Sequence, residues 1–206
     1  MIPTQKIITN IFLSLILLSL ISGCAAPGPK YIDLAYQKHH SPTQTGKIGI
    51  SSFKDNRQNT EKGYVGRRIL NDKSQETYRV RGQNLSATLT ELTQVYLEKT
   101  GFTVTPIPSW PLSPKGITQA PEGFAHILAA DINAFECRAQ KKGTYTKMIL
   151  EMNLTFYIGD TAPEKLTTIP VSLTLERTEM TFTQDKLEQF INQAFEEILE
   201  KAFPFK

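Results

Sequence analysis

The stretch Tyr145–Ile158, YTKMILEMNLTFYI, decides the fold. Met148, Leu150, Met152, Leu154, Phe156 and Ile158 occupy every second position. Lys147, Glu151, Asn153 and Thr155 fall between them. Six apolar residues in succession at period two predict a half-buried strand, because successive side chains of a strand point to opposite faces. Working outward, Ile169, Val171, Leu173 and Leu175 repeat the alternation and continue toward Phe182. On the other side, residues 125–137 are long enough for a strand, and Lys141-Lys142-Gly143-Thr144 reads as a hairpin connection. The centre of the chain is therefore expected to be three long antiparallel strands.

Two amphipathic helices flank them. Leu85, Leu89, Leu92 and Tyr96 step by four, three and four over residues 84–100, with Asn84 suited to the N-cap and Gly101 to a left-handed C-cap. Leu187, Phe190, Ile191, Ala194, Phe195 and Ile198 make a second stripe over residues 185–203, opened by Thr183 and closed by Pro204. Short strands are expected at 47–53, where Ile48 and Ile50 share a face, and at 102–104. The order β-α-β, three long strands, α predicts an α+β two-layer sandwich: a mostly antiparallel sheet of about four or five strands with two helices on one face.

Two regions lack a clean period. Residues 54–81 read as a long loop with eight basic and four acidic side chains, a local excess of +4 against +3 for the whole chain. Arg67, Arg68, Arg79 and Arg81 in it are candidates for binding an anionic partner such as a lipid headgroup, lipopolysaccharide or glycan. Residues 106–121 hold five of the twelve prolines and Trp110, the only tryptophan, a candidate anchor for a partner or a plug for the core edge. Asp55 and Arg57 follow the first strand, where they are suited to bracing the next loop.

The 206 residues, 40% hydrophobic and 21% charged, suit one globular domain and exclude collagen-like, disulfide-knotted and multi-span membrane proteins. A net charge of +3 gives no footprint for nucleic acid. The amino terminus reads as an address. Lys6 precedes an apolar block from Ile11 to Ile21, about 16 Å as a helix and so half of a bilayer core, as in a signal peptide. Leu20-Ile21-Ser22-Gly23-Cys24 follows directly and resembles the lipobox of bacterial lipoproteins. The resemblance implies a signal peptide over 1–23, cleavage before Cys24, and acylation of Cys24, with membrane lipid as its first partner. Ala25, in place of an aspartate, implies the outer membrane, facing the periplasm. Residues 24–46, with Pro27, Pro29, Pro42, Gly28 and Gly46, are expected to form a flexible tether, apart from a short edge strand around Tyr31, Ile32 and Leu34. The domain itself is expected over 47–206.

Catalytic and metal patterns are absent from the sequence. Ser51-Ser52 has no nucleophile-elbow glycines, and Gly46-Lys47 leads into a strand, not a phosphate-binding helix. His39, His40, His126 and Cys137 lack zinc-ligand spacing. Asp131 and Glu136, five apart on one strand, are expected on opposite faces, and Cys137 as an ordinary strand thiol. No cofactor is expected.

The succession Lys47–Phe53-Lys-Asp55-Asn-Arg57, Gly66-Arg67-Arg68, then Gly101-Phe102-Thr-Val104 after a helix resembles the YajG-like envelope lipoproteins. In that pattern a strand ends in Phe-x-Asp-x-Arg and a helix ends in Gly-Phe-x-Val. The likeness implies fold and location over residues 45–200 and supplies no reaction. The expected function is a non-enzymatic, outer-membrane-anchored periplasmic lipoprotein that serves as a binding or assembly subunit, partnered by an envelope protein or an anionic envelope component. The alternatives are a lipid or small-ligand carrier with a cleft between sheet and helices and, more remotely, a hydrolase of envelope polymers.

Overall fold

The computed structural model describes residues 28–203 except 59 and 83. The apolar block, Cys24 and Pro204 lie outside the described residues. Among the described residues nine strands form one sheet: β1 (Lys30–Ile32), β2 (Lys47–Ile50), β3 (Lys54–Asp55), β4 (Tyr64–Ile69), β5 (Gln75–Val80), β6 (Thr103–Pro106), β7 (His126–Lys142), β8 (Tyr145–Thr161) and β9 (Glu164–Glu179). The described helices are α1 (Leu85–Thr100), the one-turn α2 (Pro114–Ile117) and α3 (Gln184–Ala202).

β7 organises the sheet. One edge pairs antiparallel with β8 along its whole length, and β8 pairs antiparallel with β9. The other edge is lined in succession by β2, β3 and β4, all parallel to β7. β5 folds back on β4, β1 adds outside β5 and β6 adds outside β2. The expected two-layer sandwich of four or five strands is thus corrected to a nine-stranded sheet that curls into a half-barrel, with 43% of the described residues in strands and 22% in helices. Three strands of 16–17 residues accumulate the right-handed twist over their length, and bulges in β4 and β7 add to it.

The bulge in β7, between Ile132 and Ala134, also corrects a parity argument. Ile132 and Phe135 both face the main core, so Asp131 and Glu136 share the opposite face. They stand about 13 Å apart along the strand. Each takes its own partner: Asp131 accepts from Tyr157 Oη at 3.1 Å and Glu136 from Tyr64 Oη at 2.8 Å.

α1 and α3 lie on one face of the sheet. Leu85, Leu89, Leu92 and Tyr96 of the first and Leu187, Phe190, Ile191 and Phe195 of the second join Met148, Leu150, Met152, Leu154 and Phe156 in one buried cluster. Asn84 Oδ1 accepts from the Ala87 N–H at 2.8 Å, and Gly101 ends α1 at φ 114°. A Cβ at Gly101 would stand 2.3 Å from the Gln44 carbonyl oxygen, so the left-handed cap also permits a close backbone approach.

That approach belongs to a strap. From Lys30 onward the segment expected as a tether is built into the fold, so the expectation of mobility is corrected there. Ile32 and Tyr36 are buried. The N–H groups of Asp33, Ala35 and Gln37 donate to Glu188, Asn192 and Glu196, which lie at four-residue steps along α3. Thr43 and Gln44 donate to the Thr100 carbonyl oxygen. Proline and glycine suggested a linker, but Ile32, Leu34 and Tyr36 alternate over a span too short to outweigh them.

Candidate functional site

The four candidate arginines sit on a hairpin, not on a loop. β4 and β5 pair antiparallel, with Arg67 opposite Thr77 and Arg68 opposite Glu76. Alternation then divides the arginines. Arg67 and Arg79 line a polar hollow of about 410 Å³ with Glu61, Tyr64 and Thr77. Arg68 points the other way and stacks 4.1 Å over the Phe182 ring, beside buried Tyr78. Arg81 lies beyond the end of β5. Each has a carboxylate: Arg67 with Glu136 at 3.8 Å, Arg68 with Glu76 at 3.5 Å, Arg79 with Glu61, and Arg81 with Asp33 at 2.9 Å. The structure therefore does not bring them together as one free cationic patch.

Glu76 is the most heavily engaged of these carboxylates. Its burial favours the neutral form, yet hydrogen bonds from Lys30 and Tyr78 and the charges of Lys30 and Arg68 together hold it below the usual carboxylate range. Tyr78 is pushed far up, chiefly by burial and then by its hydrogen bond to Glu76. Arg57 is a brace. Its guanidinium donates to both oxygens of Asp55, each at 2.8 Å, and to the carbonyl oxygens of Tyr64 and Phe135, each at 2.9 Å. It thereby ties β3, β4 and β7 together. Cys137 is buried in the main cluster, and burial, followed by the charge of Glu136, pushes its thiol up to about 12.

Trp110 is distant from the arginines. It packs beside Ile117, Phe124 and Ile127 in a second apolar cluster, on the sheet face away from α1 and α3. Arg67 is registered with Arg138 of β7, ten ladder steps past Ile127, a separation of about 33 Å along the strand. Its indole Nε1 is buried with no acceptor among the described residues. This tryptophan plugs the edge of a core.

The structure shows a concave site that sequence reasoning did not assemble. A cavity of about 210 Å³ opens between the sheet and the C-terminal ends of α1 and α3, lined by Ile48, Leu97, Leu128, Ile158 and Phe203. Its polar lining is Thr167 and the cross-strand pair His126–Asp160, joined Nδ1 to Oδ1 at 2.8 Å. The sequence carried no signal for this pair, since 34 positions separate residues that only the β7–β8 register brings face to face. Chemically the site offers an apolar pocket with one hydrogen-bonding rim.

No family model matches the sequence, and no curated protein does. Among solved structures, protein XCC0632 from Xanthomonas campestris, of the DUF330 family, has a similar fold with a TM-score of 0.52 at 9% identity, covering 84% of this chain and 92% of that one. Lipoprotein GNA1162 from Neisseria meningitidis aligns with a TM-score of 0.37 at 9% identity, over 74% of this chain and 97% of that one. The first likeness shows a shared fold. The likeness to YajG-like lipoproteins rests on the sequence motifs alone.

Proposed function

We propose that the chain is a lipoprotein of the bacterial envelope, held through acylated Cys24 on the outer membrane and facing the periplasm, where its domain serves as a non-catalytic binding or assembly subunit. One observation carries this reading: Leu20–Cys24 stands directly after an apolar block too short to span a bilayer. Two others support it. No described helix is long and apolar enough to cross a membrane, and the functional candidates are spread over paired charges and packed apolar groups. Three acyl chains exceed the two signals that stable lipid anchoring takes. The test is metabolic palmitate labelling of the full chain with fractionation of the two membranes. Label and outer-membrane density are expected for the wild type, and both are lost in Cys24→Ser. Label that persists in Cys24→Ser overturns the reading.

The cavity beside His126 and Asp160 favours a second reading, a carrier of a small apolar ligand. Its 210 Å³ lies below the roughly 300–1,000 Å³ of ordinary ligand pockets, which weighs against that role. Mass spectrometry of organic extracts from the purified full chain decides: a stoichiometric lipid or apolar metabolite, absent from a Leu128→Trp variant, would establish the carrier.

A further inference from the structure

The register of the sheet fixes which end of the domain meets the membrane. Lys30 is paired with Tyr78, Tyr78 with Gly66 and Gly66 with Cys137, so β1 begins at the level of Cys137 on β7. β1 runs parallel to β5, away from the β4–β5 turn, so the chain enters it from the side of that turn. Six residues separate Cys24 from Lys30 and span at most about 22 Å. The end of β7 at Lys142 lies five residues from Cys137, about 16 Å. The end at His126 lies ten ladder steps away, about 33 Å, beyond the reach of the segment. A lipid on Cys24 therefore reaches one end of the sheet only.

That end is built for a charged, half-apolar surface. Ile69 pairs with Gln140 and Thr146 with Glu179, which sets the β4–β5 turn, the β7–β8 turn and the end of β9 side by side. Lys73, Lys141 and Lys142 are exposed there, with Asp72 as the nearby carboxylate and Glu179 already paired with Lys186 at 2.6 Å. Beside the lysines, on the β8 and β9 side of Lys142, stand Tyr145, 37% exposed, and Met180, 72% exposed, two of the four large exposed apolar side chains among the described residues. Lysines with an amphipathic tyrosine and an unbranched apolar side chain form the composition that sits at an anionic lipid–water interface.

We propose that the Lys73–Lys142–Met180 end of the sheet rests on the anionic surface of the membrane that holds Cys24, so that the cavity and Trp110 are carried at the far end, away from the lipid. The proposal rests on the lipid-anchor reading above. It is specific about orientation: the β4–β5 and β7–β8 turns touch headgroups, and the β8–β9 turn does not.

The single tryptophan makes this measurable. The acylated full chain is reconstituted into vesicles of phosphatidylethanolamine and phosphatidylglycerol carrying lipids brominated close to the headgroup, which quench tryptophan only at the membrane surface. Wild-type Trp110 emission is expected to be unchanged, whereas Tyr145→Trp in a Trp110→Phe background drops about twofold, the depth expected for an interfacial side chain. Met180→Trp in the same background gives a second reading at the most exposed large apolar position of that end. Replacing Lys73, Lys141 and Lys142 by Gln is expected to lower the quenching to the level in phosphatidylcholine vesicles, and added salt does the same to the unreplaced chain. Palmitate-labelled protein in which Trp110 is quenched, or in which neither new tryptophan is, overturns the orientation and leaves the anchor standing. Quenching that ignores both lysine replacement and salt overturns the charge recognition. Failure of palmitate to label Cys24 overturns the anchor and the orientation together.

Discussion

The two apolar clusters on opposite faces of β7 differ in how they are made. The main cluster, under α1 and α3, is assembled from side chains that recur at period two along β7, β8 and β9 and at helical spacing in the two helices. The second, around Ile117, Phe124 and Ile127, is assembled from a proline-rich excursion laid over places where side chains are missing. A Cβ at Gly49 would stand 2.9 Å from Ile107 Cδ1, and one at Gly159 would stand 2.9 Å from Cγ1 of both Ile117 and Ile127. Two glycines thus leave the hollow that Ile107, Ile117 and Ile127 fill. A periodic face declares itself in a sequence. A face defined by absent methyl groups does not.

The largest test of this contrast puts a charge in the periodic cluster. Leu150→Asp or Phe195→Asp places a carboxylate where the side chain is 1% or 2% exposed, at a cost of several kcal/mol against a total stability of about 5–15 kcal/mol. Loss of the cooperative melt by far-ultraviolet circular dichroism is expected, and a wild-type melt would show that this face is not the core. Phe156→Ala is next. Phe156 is fully buried and packs edge-on against Phe53 and Phe203, with ring centroids 6.0 and 5.2 Å away. Its truncation is expected to cost about 3–5 kcal/mol in urea unfolding, with the fold retained if the remaining cluster suffices.

Gly159→Ala probes the second cluster in the opposite sense, by adding atoms. The closest contacts are side-chain atoms, Cγ1 of Ile117 and Ile127, so the site is overfilled without a backbone clash. A loss of about 1–3 kcal/mol is expected. A neutral result would show that the excursion carrying Trp110 is not tightly seated on the sheet.

Between the clusters and solvent lies a polar brace, and it responds to pH. The Arg57 guanidinium, 6% exposed, holds the Asp55 carboxyl below its ordinary 3.8 by hydrogen bonding and charge, against a smaller opposing effect of burial. A carboxyl depressed on folding contributes stability above its unfolded value and loses it as pH falls through the folded one. Asp55→Asn is therefore expected to cost about 1–3 kcal/mol at neutral pH, because Arg57 loses its charged acceptor. The variant should also show a flatter fall in melting temperature below about pH 4 than the wild type. Parallel acid melting curves for the two proteins would remove Asp55 from the brace.

The contrast also explains what was legible in the sequence. Met148 to Phe156 announced β8, and Asn84, Gly101 and Thr183 marked helix caps that the structure contains. The β4–β5 hairpin stayed hidden because its six-residue strands mix arginines and glutamate with Tyr78 and Val80, so their alternation is of polar with half-polar. The strap from Lys30 hid behind its glycines and prolines, since its burial is conferred by α3. The bulge in β7 left no mark of its own and reversed the parity of everything after Ile132. The His126–Asp160 rim existed only once two strands were in register.

Trp110→Phe is the finest test, because two opposing terms nearly cancel. The indole is half-buried among Ile107, Ile117 and Ile127, so removing part of its ring system gives up some apolar contact. Its Nε1 is also a buried donor without an acceptor among the described residues, and such a group costs about 1–3 kcal/mol that phenylalanine does not incur. A change within about 1 kcal/mol, of either sign, is the expected sum. Trp110→Ala, which keeps neither ring nor donor, should instead lose stability outright by opening the second cluster. Chemical melts of the two variants, followed by circular dichroism because the only tryptophan is gone, separate the ring from the donor. A large loss in Trp110→Phe would mean that the indole N–H is satisfied after all, and that this cluster is held by a polar contact as well as by shape.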